Sequence, residues 1–196
     1  NIERELCFLQ KYHKQSFNSN ILYNKQSKFY YDNVLKNFHN KINLTNASKK
    51  YGDIKPIFII GLPRSGSTII ESLLSSGEIK VRTYGECNYF NMAIFDQIKN
   101  KIFTKEFTIN KSAIDIDLNS IEVSIEDRYA INNKQDSSLL FLDKSLENIF
   151  NIEIILKIFP NAKFIHTKRN TKDAILSIYF SMLPELSWTL SLKSIN

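Results

Sequence analysis

Residues 56–70 read PIFIIGLPRSGSTII, and this stretch decides the fold. The run PIFII is short, apolar and bounded by proline and glycine, which is typical of a strand buried on both faces. The following STIIESLLSSG predicts a helix that ends at Gly77. Four apolar residues of that helix are expected to face inward: Ile69, Ile70, Leu73 and Leu74. Strand, glycine-rich turn and helix together predict a loop that binds a phosphate at the helix N-terminus.

The segments after this unit repeat the alternation of strands and helices. Three further strands are predicted at IKVRTYGE, SLLFLDK and AKFIHTK, and apolar residues with helical spacing lie between them. This alternation predicts an α/β fold of the P-loop type, with three layers and a mainly parallel sheet flanked by helices. Such sheets bind ligands beyond the carboxyl ends of their strands, so the residues that follow each strand are the candidate site.

Residues 1–50 predict a helical lead-in, the end of an upstream helical or repeat region. Its apolar residues recur at helical spacing, at Leu6, Leu9 and Tyr12 and again at Phe29, Tyr30, Val34 and Phe38. The polar, turn-rich stretch NKINLTNASKKYGDIK marks the boundary. Residues 51–196 form the expected P-loop domain, which we expect to be truncated at its C-terminus. Within it, residues 104–136 are polar, with SIEDRYAINNKQ as the best helix candidate.

The composition narrows the function classes. A chain of 196 residues with 43% hydrophobic residues can bury one core. The net charge of +6 favours anionic partners, but the lysines are scattered among acidic residues, so no nucleic-acid partner is expected. Cys7 and Cys87 imply no disulfide framework, and no histidine has metal-ligand spacing, so no metal is expected. No apolar run is long enough to span a membrane, and we expect a cytoplasmic protein.

The loop GLPRSGST offers the groups that an anion needs. Gly66 lets backbone N–H groups approach, and Arg64 adds a fixed positive charge. Hydroxyl donors come from Ser65, Ser67 and Thr68. Nucleoside-triphosphate hydrolases with such a loop place a lysine where this chain has Ser67. Hydrolysis of ATP or GTP is therefore disfavoured.

A second set of phosphate-binding groups follows the last predicted strand. In FPNAKFIHTKRNTKDAILSIYF, Arg169 stands at the strand end and Ser177 follows eight residues later, about two turns into the next helix. An arginine and a serine brought together there would hold a second phosphate.

Over about residues 55–180, the chain resembles the sulfotransferases that use 3′-phosphoadenosine-5′-phosphosulfate (PAPS). The resemblance is carried, in order and spacing, by PIFIIGLPRSGSTIIESLLSS, YGE and LDKSLENIFNIEIILKIFPNAKFIHTKRNTKDAILSIYFSML. It is closest to the branch whose catalytic domain follows tetratricopeptide repeats, a relative of the tyrosylprotein sulfotransferases. The activity implied is transfer of a sulfuryl group to an acceptor hydroxyl, on a protein tyrosine, a carbohydrate or another small molecule.

The same resemblance implies how the donor is bound. The 5′-phosphosulfate would be held by Arg64, Ser65, Gly66, Ser67 and Thr68. The 3′-phosphate, which distinguishes PAPS from ATP, would be held by Arg169 and Ser177.

It also implies the catalytic residues. Lys144, in DKSLEN, would stabilise the bridging oxygen, with Arg64 beside the same phosphosulfate. Glu86, in YGE, would be the base for the acceptor hydroxyl, and no metal is required. Cys87 stands where the tyrosylprotein sulfotransferases carry a second acidic residue.

Two alternatives stay open from the sequence. A P-loop nucleotide kinase or nucleotidase would need an acidic magnesium ligand after an apolar strand, and Asp143 in FLDK is the candidate. A degenerate, non-catalytic module that binds a nucleotide or a partner protein would have the same loop without the chemistry.

Overall fold

The structure is a computed structural model, and it describes residues 2–22, 25, 28, 32, 42–46, 51–102, 114–129, 131 and 140–182. The chain divides into two compact units, residues 39–168 and residues 1–38 with 169–196. The described helices and strands are, in chain order, α1 (Ile2–Ser19), β1 (Ile42–Thr45), β2 (Ile57–Gly61), α2 (Ser67–Ser75), β3 (Arg82–Thr83), α3 (Tyr89–Ile102), β4 (Ile114–Asp117), α4 (Leu118–Arg128), β5 (Phe141–Asp143), a 3-10 helix (Leu146–Phe150), α5 (Ile152–Ile158), β6 (Lys163–Thr167) and α6 (Thr171–Phe180).

The unit of residues 39–168 is built on a four-stranded parallel sheet with the order β3-β5-β2-β6. The register pairs Phe58 with Asp143 and Gly61 with Thr167. All four strands therefore end at one edge, and the loops that follow β2, β3 and β5 meet there. The α/β fold with a mainly parallel sheet flanked by helices, predicted from the sequence, is confirmed.

The core of this sheet is aliphatic and aromatic. Phe58, Ile59 and Leu142 are fully buried on the two central strands. The Phe58 ring packs edge-on against the Phe90 ring at 5.8 Å, and the Tyr129 ring stacks on the Phe141 ring at 4.5 Å. Burial of each large side chain stabilises the fold by about 1.5–3 kcal/mol, which fixes the strands that carry the loops.

Helix α2 is rotated relative to the sequence prediction. Its inward face is formed by positions 67, 70, 71 and 74, spaced as one side of a helix. Ile69 and Leu73, predicted to face inward, are 66% and 63% exposed, so the prediction is wrong for these two residues. The turn at Gly66 fixes where the helix starts and hence its rotation, and this places polar Ser67 and Glu71 toward the sheet edge.

A second, two-stranded sheet joins β1 to β4 in parallel, with Ile42 opposite Ile114 and Thr45 opposite Asp117. The sequence prediction placed a turn-rich boundary over β1 and no strand over β4, and both assignments are wrong. Each strand has only four residues and alternates apolar with polar side chains. Ile114 and Ile116 supply the buried face of β4. Helix α4 overlaps the predicted candidate but begins earlier, at Leu118.

The other unit contains α1 and α6. Nε2 of His13 donates a hydrogen bond to the backbone oxygen of Tyr179 at 2.9 Å, and the two rings stack at 4.1 Å.

Within the described residues, no helix is long and apolar enough to cross a membrane. The predicted helical residues Phe29, Tyr30, Val34 and Phe38 lie outside the described residues. The domain boundary near residue 50 and the cytoplasmic location stay predictions.

Candidate active site

Two glycines shape the loop between β2 and α2. Gly61 has φ +139°, and a Cβ atom there would lie 2.5 Å from the backbone oxygen of Thr167. The close contact between β2 and β6 at this point therefore requires glycine. Gly66 has φ +97° and is the N-cap residue of α2. Its backbone oxygen accepts hydrogen bonds from the N–H groups of Ile69 and Ile70, so the helix starts directly after the loop.

The rest of the loop is held by hydroxyl contacts with the end of β6. Oγ of Ser65 donates to the backbone oxygen of Leu62 at 2.6 Å and lies 2.6 Å from Oγ1 of Thr167. Thr167 also lies within 3.2 Å of the backbone oxygen of Ile60. Arg64 is exposed and adopts φ 62°, a left-handed conformation uncommon for arginine. The Ser65 side chain thus stabilises the loop conformation. Binding of a phosphate by Ser65 stays a prediction.

The start of α2 has the groups of an anion site. The first N–H groups of a helix have no partner within the helix, and the helix dipole is positive at that end. Ser67 is buried and Thr68 is exposed at this position. These features fit an anionic group beside the loop.

Lys144 follows β5 and extends its side chain to this helix start. Its Nζ atom lies 2.7 Å from Oε1 of Glu86 and 3.4 Å from Oγ1 of Thr68. The Lys144 side chain is only 8% exposed, whereas the Glu86 side chain is 58% exposed. Lys144 thus contacts two other predicted site residues, each from a separate segment of the chain.

A fourth member of this cluster was not predicted from the sequence. Oε2 of Glu71, on α2, lies 3.6 Å from Nζ of Lys144. Glu71 is three residues after Thr68 and four after Ser67, so it shares their side of the helix. That spacing is the signal in the sequence, but the prediction of the inward face named only Ile69, Ile70, Leu73 and Leu74.

Backbone hydrogen bonds align the loops that carry Lys144 and Glu86. The N–H of Lys144 donates to the backbone oxygen of Gly85 at 2.8 Å, and the N–H of Tyr84 donates to that of Leu142 at 2.9 Å. The β3–β5 ladder therefore continues one step past the strands. Glu86 and Lys144 emerge side by side as a consequence.

Asp143, immediately before Lys144, is fully buried and faces inward. Its Oδ1 accepts a hydrogen bond from the N–H of Ser145 at 2.6 Å, and its Oδ2 accepts from the Tyr129 hydroxyl and, at 3.3 Å, from Sγ of Cys87. Burial, followed by the charge of Asp143, raises the pKa of the Cys87 thiol to about 12. The same two causes raise the pKa of Tyr129 well above its ordinary value. The Asp143 carboxylate is thus surrounded by three uncharged hydrogen-bond donors: a hydroxyl, a thiol and a backbone N–H.

Arg169 and Ser177 belong to the unit of residues 1–38 and 169–196. Arg169 is exposed, two residues past the end of β6, and Ser177 is half-buried on α6. Asn170, the N-cap residue of α6, accepts a hydrogen bond from the N–H of Lys172 at 3.0 Å. Binding of a 3′-phosphate by Arg169 and Ser177 stays a prediction.

Among the described residues there is no group of three or more His, Cys, Asp or Glu that could hold a metal ion.

Comparison with known proteins identifies the family. The model of the sulfotransferase family matches residues 56–196. The chain belongs to the sulfotransferase family. The match begins at β2 and includes the loop, Glu86, Lys144, Arg169 and Ser177.

One relative is an uncharacterized protein of Aquifex aeolicus (strain VF5). It is 28% identical over 130 residues, which are 64% of this chain and 17% of that protein. The chain thus spans about a sixth of the length of the curated relative that it matches.

Proposed function

We propose that this sulfotransferase uses PAPS as its donor and transfers the sulfuryl group to a hydroxyl of a protein tyrosine, a carbohydrate or another small molecule. The observation that carries the proposal is the convergence of Lys144, Glu86 and Thr68 at the start of α2. We also propose that the chain belongs to the tetratricopeptide-linked branch, which its loop, YGE and DKSLEN segments resemble.

The residues of the cluster fit an anionic donor. The helix start and the exposed Arg64 offer positive potential, and Lys144 adds an ammonium that is almost fully withdrawn from water. PAPS, when bound, supplies an activated sulfuryl group. Residues 64–68 would hold its 5′ end, and Arg169 with Ser177 its 3′-phosphate.

Each remaining side chain has a defined chemical task. The Lys144 ammonium stabilises the negative charge that grows on the leaving oxygen. Glu86, exposed and at the edge of the cluster, accepts the proton of the acceptor hydroxyl as that oxygen attacks. The loop N–H groups stabilise the equatorial oxygens of the transferred group. Asp143 is held inward by Tyr129, Cys87 and Ser145, which gives the nucleotide kinase alternative no support.

The first experiment compares binding of 3′-phosphoadenosine 5′-phosphate with binding of ADP, which lacks the 3′-phosphate. A nucleotide present at a hundred times its Kd stabilises the native chain by about 2.7 kcal/mol, so a thermal shift detects it. We expect a larger shift with the 3′-phosphorylated nucleotide, a loss of that preference in Arg169→Ala, and a smaller shift in Lys144→Ala. Lys157→Ala, an exposed lysine on α5, is the matched control.

Transfer is then measured with radiolabelled PAPS and a panel of tyrosine peptides and sugars. We expect Glu86→Gln to abolish transfer while nucleotide binding persists. Equal shifts with both nucleotides would instead support a nucleotide kinase or nucleotidase. Nucleotide binding without transfer to any acceptor would support a non-catalytic module.

A further inference from the structure

Lys144 has two carboxylate neighbours of different character. Glu86 is in a loop between two residues with positive φ, Gly85 and Asn88, and its side chain is 58% exposed. Glu71 is within the regular helix α2, and its side chain is 16% exposed. Glu86 is therefore exposed on a loop and accessible to an acceptor, whereas Glu71 is largely buried on a regular helix.

Glu71 also contacts the region of both loops. Its Oε2 is 3.6 Å from Nζ of Lys144, and its Oε1 lies 4.0 Å from the position that a Cβ atom on Gly85 would occupy. The carboxylate thus lies between the loop after β3 and the residue after β5. A glutamate pointing outward from α2 would reach neither.

The proposed reaction requires Glu86 to leave Lys144. A carboxylate that holds an ammonium at 2.7 Å is a poor base, so Glu86 must exchange this contact for the acceptor hydroxyl. Lys144 is 8% exposed, and a buried ammonium without a counter-charge is costly. A second carboxylate that stays in place removes this cost.

We propose that Glu71 is a positioning residue that keeps the Lys144 ammonium at the start of α2 while Glu86 is released to the acceptor. The inference rests on the proposed function, since it assigns Lys144 and Glu86 their roles. Lys144 is shared by the two carboxylates before the acceptor binds, and it is held by Glu71 alone once Glu86 has turned to the acceptor.

The test measures how fast an amine-acylating reagent modifies Lys144 at fixed pH, by peptide mass spectrometry, in four chains: wild type, Glu71→Gln, Glu86→Gln and the double variant. We expect Glu86→Gln to leave Lys144 largely protected, because Glu71 still holds it. The added Glu71→Gln substitution should then raise the rate about tenfold or more, because removing a carboxylate from a largely buried ion pair is strongly unfavourable. Glu78→Gln, an exposed glutamate after the end of α2, is the control.

The outcomes are distinct. If Glu86→Gln alone makes Lys144 fully reactive and Glu71→Gln adds nothing, the proposal is overturned. Should Glu71→Gln unfold the chain, Glu71→Asp retains the charge on a shorter side chain, and an unchanged Lys144 rate in that variant contradicts a positioning role. The labelling does not depend on sulfuryl transfer, so a protected Lys144 in a chain that binds neither nucleotide would reject the proposed function and leave the Glu71 contact standing.

With an acceptor in hand, Glu71→Gln should lower kcat more than it raises KM for PAPS. A purely structural role would change the melting temperature without this split. Equal kcat values for wild type and Glu71→Gln would count against the inference.

Discussion

The hydroxyl of Tyr129 donates a hydrogen bond to Oδ2 of Asp143, and both residues are buried. Tyr129 is the C-cap residue of α4 and Asp143 is the last residue of β5, so this one bond connects a helix to the strand that precedes Lys144. The N–H of Ser145 occupies the other carboxylate oxygen at 2.6 Å. The backbone on both sides of Lys144 is therefore fixed before any ligand binds.

Tyr129→Phe should destabilise the chain, because it removes a donor from a buried carboxylate and leaves the packing unchanged. The expected loss is about 1–3 kcal/mol in the free energy of unfolding, the usual cost of a buried acceptor left without its partner. Urea denaturation followed by circular dichroism measures it. The matched control is Tyr89→Phe, which deletes a hydroxyl from a ring that packs 5.0 Å from the Tyr129 ring. Equal losses in the two variants would show that the Asp143 contact has no special weight.

The two cysteines should differ in reactivity. Cys7 is exposed, whereas Cys87 is partly buried beside Asp143, and its pKa is raised to about 12. Only the thiolate is nucleophilic. Cys87 should therefore react with iodoacetamide on the order of a hundredfold more slowly in the native chain than in the chain unfolded by urea. Mass spectrometry of each cysteine peptide over time gives both rates, with Cys7 as the internal control. Similar rates for Cys87 in buffer and in urea would contradict this environment.

The same thiol predicts a dependence of stability on alkaline pH. The folded state raises the pKa of Cys87 from 9.0 to about 12, so it favours the neutral thiol. Its contribution to stability is complete below the unfolded pKa and is lost as the pH rises through the folded value. The stability of wild type should therefore fall more steeply than that of Cys87→Ala between pH 9.0 and about 12. Parallel curves from urea denaturation across this range would exclude the effect.

The sequence predicted the parts of the fold that its apolar runs determine. The stretch from β2 through α2, and strands β5 and β6, combine continuous apolar residues with glycine or proline boundaries. Parallel pairing follows from the alternation with helices. Because the ends of parallel strands meet at one edge, the meeting of Glu86 with Lys144 was also within reach of the sequence.

The remaining features depend on contacts that a sequence pattern does not encode. The rotation of α2 is set by the turn at Gly66, which turns Ile69 outward and Glu71 inward. Strands β1 and β4 are too short and polar for a periodic signal, and each is a strand because the other pairs with it. Tyr129 lies in a polar segment, and its partnership with Asp143 arises only after α4 packs on the sheet.

Gly61→Ala should destabilise the loop strongly. The added Cβ atom would lie 2.5 Å from the backbone oxygen of Thr167 and 2.8 Å from its Oγ1 atom, at φ +139°. Neither the β6 backbone nor the hydroxyl that supports Ser65 can yield without disturbing the sheet, so we expect a loss of about 1–3 kcal/mol or more. The control is Gly52→Ala, since no atom lies within 4 Å of a Cβ there. Comparable melting temperatures for the two variants would contradict the tight β2–β6 contact.

Asp117 should stabilise the chain at neutral pH, and this stabilisation should be lost at acidic pH. It caps α4 by accepting hydrogen bonds from the N–H of Asn119 at 3.2 Å and from Oγ of Ser120 at 2.6 Å, and Asn46 donates to it at 3.1 Å. The bonds from Ser120 and Asn46 lower the pKa of this carboxyl below its ordinary value of 3.8. A lowered folded pKa means that the contribution is complete above the unfolded value and is lost as the pH falls through the folded one.

Asp117→Ala should therefore lower the melting temperature at neutral pH, and the difference from wild type should shrink as the pH falls below 3.8. Asp115→Ala is the matched control, because Asp115 also accepts a bond from an asparagine of β1, at 3.0 Å, but caps no helix. We expect the smaller loss in the control, since it leaves the first N–H groups of α4 satisfied. A difference between wild type and Asp117→Ala that stayed constant with pH would mean that the side chain acts through packing and not through its charge.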